Sequence, residues 1–174
     1  MKRIVLLIFG TVLFCCKSEK SQEINVRTNK PKQEFTVKLS FKTNKTDMFS
    51  FVLYNIEMDE FQKKWIQINQ TVEESETISS IEANFQNNIS NSFRINLGNK
   101  EEKEIEIKII EIMYGEKSIV ISPNELDKYF KFNEFVIQGG ASGKLITKKG
   151  QNKFNPIMYL KAKYLSEIQV TDKI

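Results

Sequence analysis

Side chains able to do covalent or acid–base chemistry are scarce in this chain of 174 residues, which contains two cysteines and no histidine. Without histidine there can be no Ser–His–Asp or Cys–His nucleophile–base pair, no imidazole general base and no histidine zinc site. The cysteines, Cys15 and Cys16, are adjacent near the N-terminus. Carboxylates are the remaining option, because a pair of them can hydrolyse a glycosidic bond. Aspartate occurs at Asp47, Asp59, Asp127 and Asp172, and the other acids are glutamates. Most of these lie in runs such as Glu101-Glu102-Lys103-Glu104 or alternate along a strand, as Glu104 and Glu106 do, a pattern expected of a solvated face. The sequence therefore nominates no catalytic residue, and a hydrolase using two glutamates is the remote alternative. It implies no cofactor and no metal. Glu57-Met58-Asp59-Glu60 is the nearest approach to a calcium loop, but it lacks closely spaced oxygen ligands. Gly139-Gly140-Ala141-Ser142-Gly143-Lys144 lacks phosphate-loop spacing and precedes a strand-like segment.

Aromatic and cationic residues suggest binding instead. A sugar ring stacks on Trp or Tyr while neighbouring polar groups take its hydroxyls. Trp65 is the chain's single tryptophan. Tyr54 ends a strand-like run, and Arg94, between Phe93 and Ile95, should point away from whatever those two pack against. These three are the candidate ligand-binding residues, with Arg94 as a hydroxyl or carboxylate contact. The competing readings are Trp65 as core or edge packing and Arg94 as an outward, solvated or cross-strand-paired side chain.

The cysteines acquire a role from what precedes them. Met1-Lys2-Arg3 is a basic start, and Ile4 to Phe14 is apolar except for Gly10 and Thr11. This run fits a signal-peptide core and is too short for a bilayer-spanning helix, which needs about 20 residues. Its end, Leu13-Phe14-Cys15-Cys16, resembles a bacterial lipobox, with Leu three residues before the modified Cys16 and the small Cys15 just before it. The resemblance implies cleavage after residue 15, lipidation at Cys16, and anchoring to the outer membrane, on its periplasmic face or at the cell surface. Two acyl chains suffice for stable anchoring at about 0.8 kcal/mol per buried methylene. The mature domain then has no cysteine free for a disulfide or thiol chemistry. Of 26 basic residues, Lys2 and Arg3 leave with the signal, so the mature chain is nearly balanced against 22 acidic residues. With no basic block, nucleic acid is not an expected partner.

Four segments follow: a signal at 1–15, a lipidated cysteine and polar tether at 16–33, one domain at 34–168, and a tail at 169–174. In the domain, Phe35, Val37, Leu39 and Phe41 alternate with polar residues, and Phe49, Phe51 and Leu53 resume the pattern after Thr43–Asp47. The pair reads as an antiparallel hairpin. Further strands are expected at Trp65–Ile68, Thr77–Phe85, Ser92–Leu97, Ile105–Tyr114, Ser118–Ile121, Phe132–Ile137, Lys144–Thr147 and Ile157–Tyr164. The adjacent Ile109 and Ile110 shift the alternation by one, as a β-bulge or a strand buried on both faces would. Ser122-Pro123-Asn124-Glu125 reads as a capping box starting one short helix near 123–130. The expected fold is all-β: an antiparallel β-sandwich, jelly-roll-like, with that single helix.

Glu34–Tyr54, Phe93–Gly98, Ile105–Tyr114, Asp127–Asn133 and Asn155-Pro156-Ile157 together resemble uncharacterised Bacteroidetes, Flavobacteria-like lipoproteins or extracytoplasmic domains. Those have a carbohydrate-binding-like β-sandwich, and similar domains accompany membrane glycosyltransferases, with an Arg in the strand that resembles Phe93–Leu97. The resemblance implies a non-catalytic envelope domain that binds a glycan or a protein partner. A scaffolding lipoprotein docking on an envelope complex is the alternative.

Overall fold

The computed structural model describes residues 33–54 and 65–169. The signal, Cys16, most of the tether, the acidic stretch at Glu57-Met58-Asp59-Glu60 and residues 170–174 lie outside the described residues. What is described is all-β and antiparallel, two sheets with two short helices. Eleven strands form: β1 (Phe35–Thr43), β2 (Asp47–Tyr54), β3 (Trp65–Val72), β4 (Ser75–Asn84), β5 (Ser92–Asn96), β6 (Glu104–Tyr114), β7 (Lys117–Ile121), β8 (Phe130–Phe132), β9 (Val136–Gln138), β10 (Lys144–Thr147) and β11 (Ile157–Leu160). The first sheet runs β4-β1-β6-β10-β9, with β7 also on β6; the second runs β3-β2-β5-β11-β8.

The two orders match position by position. Each strand of the first sheet is joined directly in sequence to the strand at the same place in the second: β4 to β3, β1 to β2, β6 to β5, β10 to β11 and β9 to β8. In these five pairs the chain arches between layers, the jelly-roll-like wrapping expected, whereas β2–β3, β6–β7 and β9–β10 are antiparallel neighbours within a sheet. This corrects the hairpin reading of β1 and β2, since β1 pairs with β4 and β6 while β2 pairs with β3 and β5. The reason is burial. Phe35, Val37, Leu39 and Phe41 on one strand and Phe49, Phe51 and Leu53 on the other are all buried in one core. Strands facing each other across the core satisfy both apolar rows without pairing. Phe35, Phe85 and Phe93 meet at centroid distances of 5.7 to 6.0 Å, tilted or edge-on, as the aromatic quadrupole prefers.

The phase shift in β6 is a bulge. Phe41 pairs with Ile107 but Ser40 pairs with Ile109, so Lys108 is the extra residue. Ile105, Ile107, Ile110 and Ile112 all reach the core as a result. A genuine hairpin joins β6 to β7, where Tyr114 pairs with Lys117 and Gly115 adopts φ +59°.

Three further expectations are corrected. Phe132–Ile137 is not one strand: β8 and β9 belong to different sheets, separated by a turn in which Val136 N–H donates to the Asn133 carbonyl at 3.1 Å. Asn133 locks that turn by accepting from Ile157 N–H at 3.0 Å and donating to the Asn155 carbonyl at 2.7 Å. The short helix expected near 123–130 is present, as a 3-10 turn, Pro123–Glu125, running into the single-turn α1 (Leu126–Tyr129); what is corrected is its capping box, since the Ser122 side chain makes no capping bond. Ile157–Tyr164 is a strand only to Leu160. Beyond it α2 (Ala162–Gln169) buries Tyr164, Leu165 and Ile168 and packs on β5, β6 and β7. Its i, i+1, i+4 apolar spacing is helical, and a strand could not place Tyr164 and Leu165 on one side.

At one end of the sandwich lies a buried polar knot. Lys103 and Asp47 form an ion pair with side chains 0% and 1% exposed. Lys103 Nζ also donates to the Leu97 carbonyl at 3.0 Å, while Asp47 accepts from the N–H groups of Met48 at 2.7 Å and Lys100 at 3.2 Å. Burial pushes the Asp47 carboxyl up, but the Lys103 ammonium and those N–H groups outweigh it and hold the carboxyl below its ordinary value. For Lys103 burial wins over Asp47 and lowers the ammonium's pKa. The solvated reading of Glu101-Glu102-Lys103-Glu104 thus holds for its exposed glutamates and fails at Lys103.

Candidate ligand-binding face

The outer face of the second sheet follows from the alternation of its strands. On β5, Phe93 and Ile95 are buried in the core, so Ser92, Arg94 and Asn96 point the other way. On β2 the outward set is Met48, Ser50, Val52 and Tyr54. Residues paired across an antiparallel ladder share a face, and the registers give the map. One row reads Trp65, Tyr54, Ser92; the next reads Gln67, Val52, Arg94, Tyr159, Lys131; a third reads Asn69, Ser50, Asn96, Ile157.

Trp65, Tyr54 and Arg94 therefore come together. Trp65 is 60% exposed, which excludes core packing, and it stands on β3, an edge strand of its sheet, as the edge reading has it. It sits directly opposite Tyr54 across the β2–β3 ladder. The Arg94 guanidinium lies 5.3 Å from the centre of the Tyr54 ring. Such stacking holds the guanidinium plane in place while leaving its N–H edges able to donate. Tyr54 is fixed in turn at its backbone, where its carbonyl accepts from the Ser90 hydroxyl. Val52, 1% exposed, lies between these side chains.

Two polar atoms on this face are buried without a hydrogen-bonding partner: Arg94 Nε and Asn96 Oδ1. An unsatisfied buried donor or acceptor costs about 1–3 kcal/mol. They sit on neighbouring outward positions of the same strand, closed off from solvent. Beside them Gln67 Nε2 donates to Asn69 Oδ1 at 2.6 Å and to the Ser50 hydroxyl at 3.4 Å. The sequence reading did not single out Tyr159, Lys131, Asn96 and Gln67; strand order alone brings them beside Arg94.

A concavity of about 590 Å³ opens on the first sheet, where Glu74, Glu76, Glu104 and Glu106 are interspersed with Lys42 and Lys144. Two of its carboxylates are engaged: Glu104 pairs with Lys144 at 2.8 Å and Glu106 with Lys108 at 2.5 Å. Hydrogen bonding from Lys108 holds Glu106 below the usual carboxylate range, whereas a glycosidase acid needs a raised value. Among the described residues no three acidic, cysteine or histidine side chains gather to hold a metal ion. No helix among them is long and apolar enough to cross a membrane. Cys16 lies outside the described residues.

No protein-family model matches the chain, and no curated protein matches it.

Proposed function

We propose that the chain is a bacterial envelope lipoprotein, tethered to the membrane through Cys16, whose sandwich binds a glycan on the outer face of its second sheet without catalysing a reaction. The observation that carries this reading is the placement of Trp65: exposed, facing Tyr54 across the ladder, with the Arg94–Tyr54 stack beside it. An exposed aromatic platform with a guanidinium beside it suits a sugar ring, which has one apolar face to stack and hydroxyls to pair. The leader and the Leu13-Phe14-Cys15-Cys16 sequence support the anchor. The resemblance to Bacteroidetes carbohydrate-binding-like domains supports both the compartment and the ligand class, as an analogy of fold. The scaffolding alternative would draw on a continuous apolar patch, yet the large exposed apolar residues are dispersed, with Met48 and Trp65 on one sheet, and Ile78, Val120 and Ile137 on strands of the other.

Trp65 is also the assay. As the sole tryptophan it reports on this face without a label. Titration with a panel of oligosaccharides should shift its emission for at least one member, and Trp65→Ala should abolish the binding measured by calorimetry. A panel that leaves both emission and heat unchanged would reject the glycan reading.

A further inference from the structure

We propose that the glycan bound on this face is anionic, bearing carboxylate or sulfate groups, with Arg94 as the residue that reads the charge; this rests on the glycan reading above. The argument comes from the distribution of charge over the two sheets. The five strands of the second sheet, DMFSFVLY, WIQINQTV, SFRIN, FKF and IMYL, contain a single carboxylate, Asp47. That one is buried and occupied by Lys103. The outward positions of the sheet therefore hold Arg94 and Lys131 and no acid. The first sheet differs: its Glu76, Glu82, Glu104, Glu106 and Glu111 are matched in number by Lys38, Lys42, Lys108, Lys117 and Lys144, and Glu104 and Glu106 are ion-paired with Lys144 and Lys108. The strands of the first sheet are therefore balanced in charge, and the excess of positive charge lies at the outward positions of the second.

A neutral sugar needs no such excess. An anionic one is drawn to the second sheet, where no carboxylate on the strands offsets the outward cations. Arg94 is suited to hold it. Tyr54 supports its guanidinium from one side, and Tyr159 and Val52 flank it in the ladders. A guanidinium fork matches a carboxylate or sulfate with two parallel N–H···O bonds. Lys131 lies two strands further along the same row, beyond Tyr159. From Trp65 on β3 to Lys131 on β8 is four strand spacings, about 19 Å at ~4.8 Å each. The span suits an oligosaccharide laid across the strands, stacked on Trp65 at one end and held by charge from Arg94 to Lys131.

The test titrates the full chain with neutral dextran oligosaccharides, oligogalacturonates and dextran sulfate oligosaccharides at about 0.15 M salt, where exposed charges are screened beyond ~8 Å, and follows Trp65 emission. Galacturonate and sulfate arms separate the two anionic groups. At least one of them should bind about tenfold or more tighter than the neutral series, as charge-assisted hydrogen bonds allow. Arg94→Gln should erase that preference, Arg94→Lys should keep part of it, and Lys38→Ala on the first sheet should leave it unchanged. Thermal midpoints establish that each variant folds; if Arg94→Gln does not, Lys131→Ala, at an exposed position, should weaken anionic binding and flatten its salt dependence. Neutral sugars binding as tightly as anionic ones would overturn this inference and leave the glycan reading intact. A preference that survives Arg94→Gln overturns it too, because the charge is then read elsewhere. No response to any sugar removes the glycan reading, and this inference with it.

Discussion

Replacing Lys103 by Met tests whether the buried knot holds the end of the sandwich together. Met is close to Lys in length and bulk, so the substitution removes the ammonium while leaving little cavity. It deletes two hydrogen bonds, to Asp47 and to the Leu97 carbonyl. Asp47, 1% exposed, would keep only the N–H groups of Met48 and Lys100. Breaking a buried pair from one side costs about 3–5 kcal/mol, because the remaining charge is left uncompensated. Against a typical total of about 5–15 kcal/mol this is a large fraction. In urea, with a slope of about 1–3 kcal/mol/M, the midpoint should fall by at least about 1 M at neutral pH without a change of slope. Asp47→Asn combined with Lys103→Met removes both charges at once. The double variant should therefore be less destabilised than the sum of the single ones, by about 1–3 kcal/mol of coupling. Acidification probes the same knot. Asp47 titrates in the native state below its ordinary 3.8, so its contribution is complete above that pH and is lost as pH falls through the lower native value. Asp47→Asn should flatten that part of the acid limb. A Lys103→Met midpoint within experimental error of the parent, or strict additivity in the double variant, would refute the reasoning.

Other outcomes follow from single contacts. Gly98 adopts φ +81°, and a Cβ there would lie 2.3 Å from the Asp47 carboxyl carbon, so Gly98→Ala should cost at least about 2 kcal/mol; a thermal midpoint unchanged within a degree would contradict this. Phe93→Ala empties the centre of the Phe35–Phe85–Phe93 triangle and should cost about 3–5 kcal/mol by denaturant titration, with a smaller loss indicating that the core collapses into the space. Cys16→Ala should abolish metabolic labelling with a lipid precursor in the bacterial host; labelling that persists would move the anchor to Cys15.

Much of this protein was legible from its sequence. Strict period-two runs such as Phe35–Phe41 can bury only one face, so they declare strands without reference to any partner. The doubled isoleucine at Ile109-Ile110 marked a break in the alternation that a bulge or a strand buried on both faces would each produce, and only the register with β1 shows a bulge. Arg94 could be placed outward from its neighbours alone, and the chemistry excluded by the absence of histidine needed no coordinates. Pairing was not legible. The alternation of β1 and β2 is the same whether the strands hydrogen-bond in a hairpin or face each other across a core, and only the shared burial of their phenylalanines decides for the second. Lys103, set among three glutamates, carried no local sign of burial; its partner Asp47 is 56 residues away. The bend that places Tyr164 and Leu165 on a helix was present in the spacing but looked like a strand's end. The binding face depends on tertiary structure in the same way. Trp65, Tyr54 and Arg94 were nominated by type, but residues as distant in the chain as Trp65 and Tyr159 share one surface because strand order and register put them there. Local sequence determines which way a side chain points, while long-range pairing determines what stands beside it.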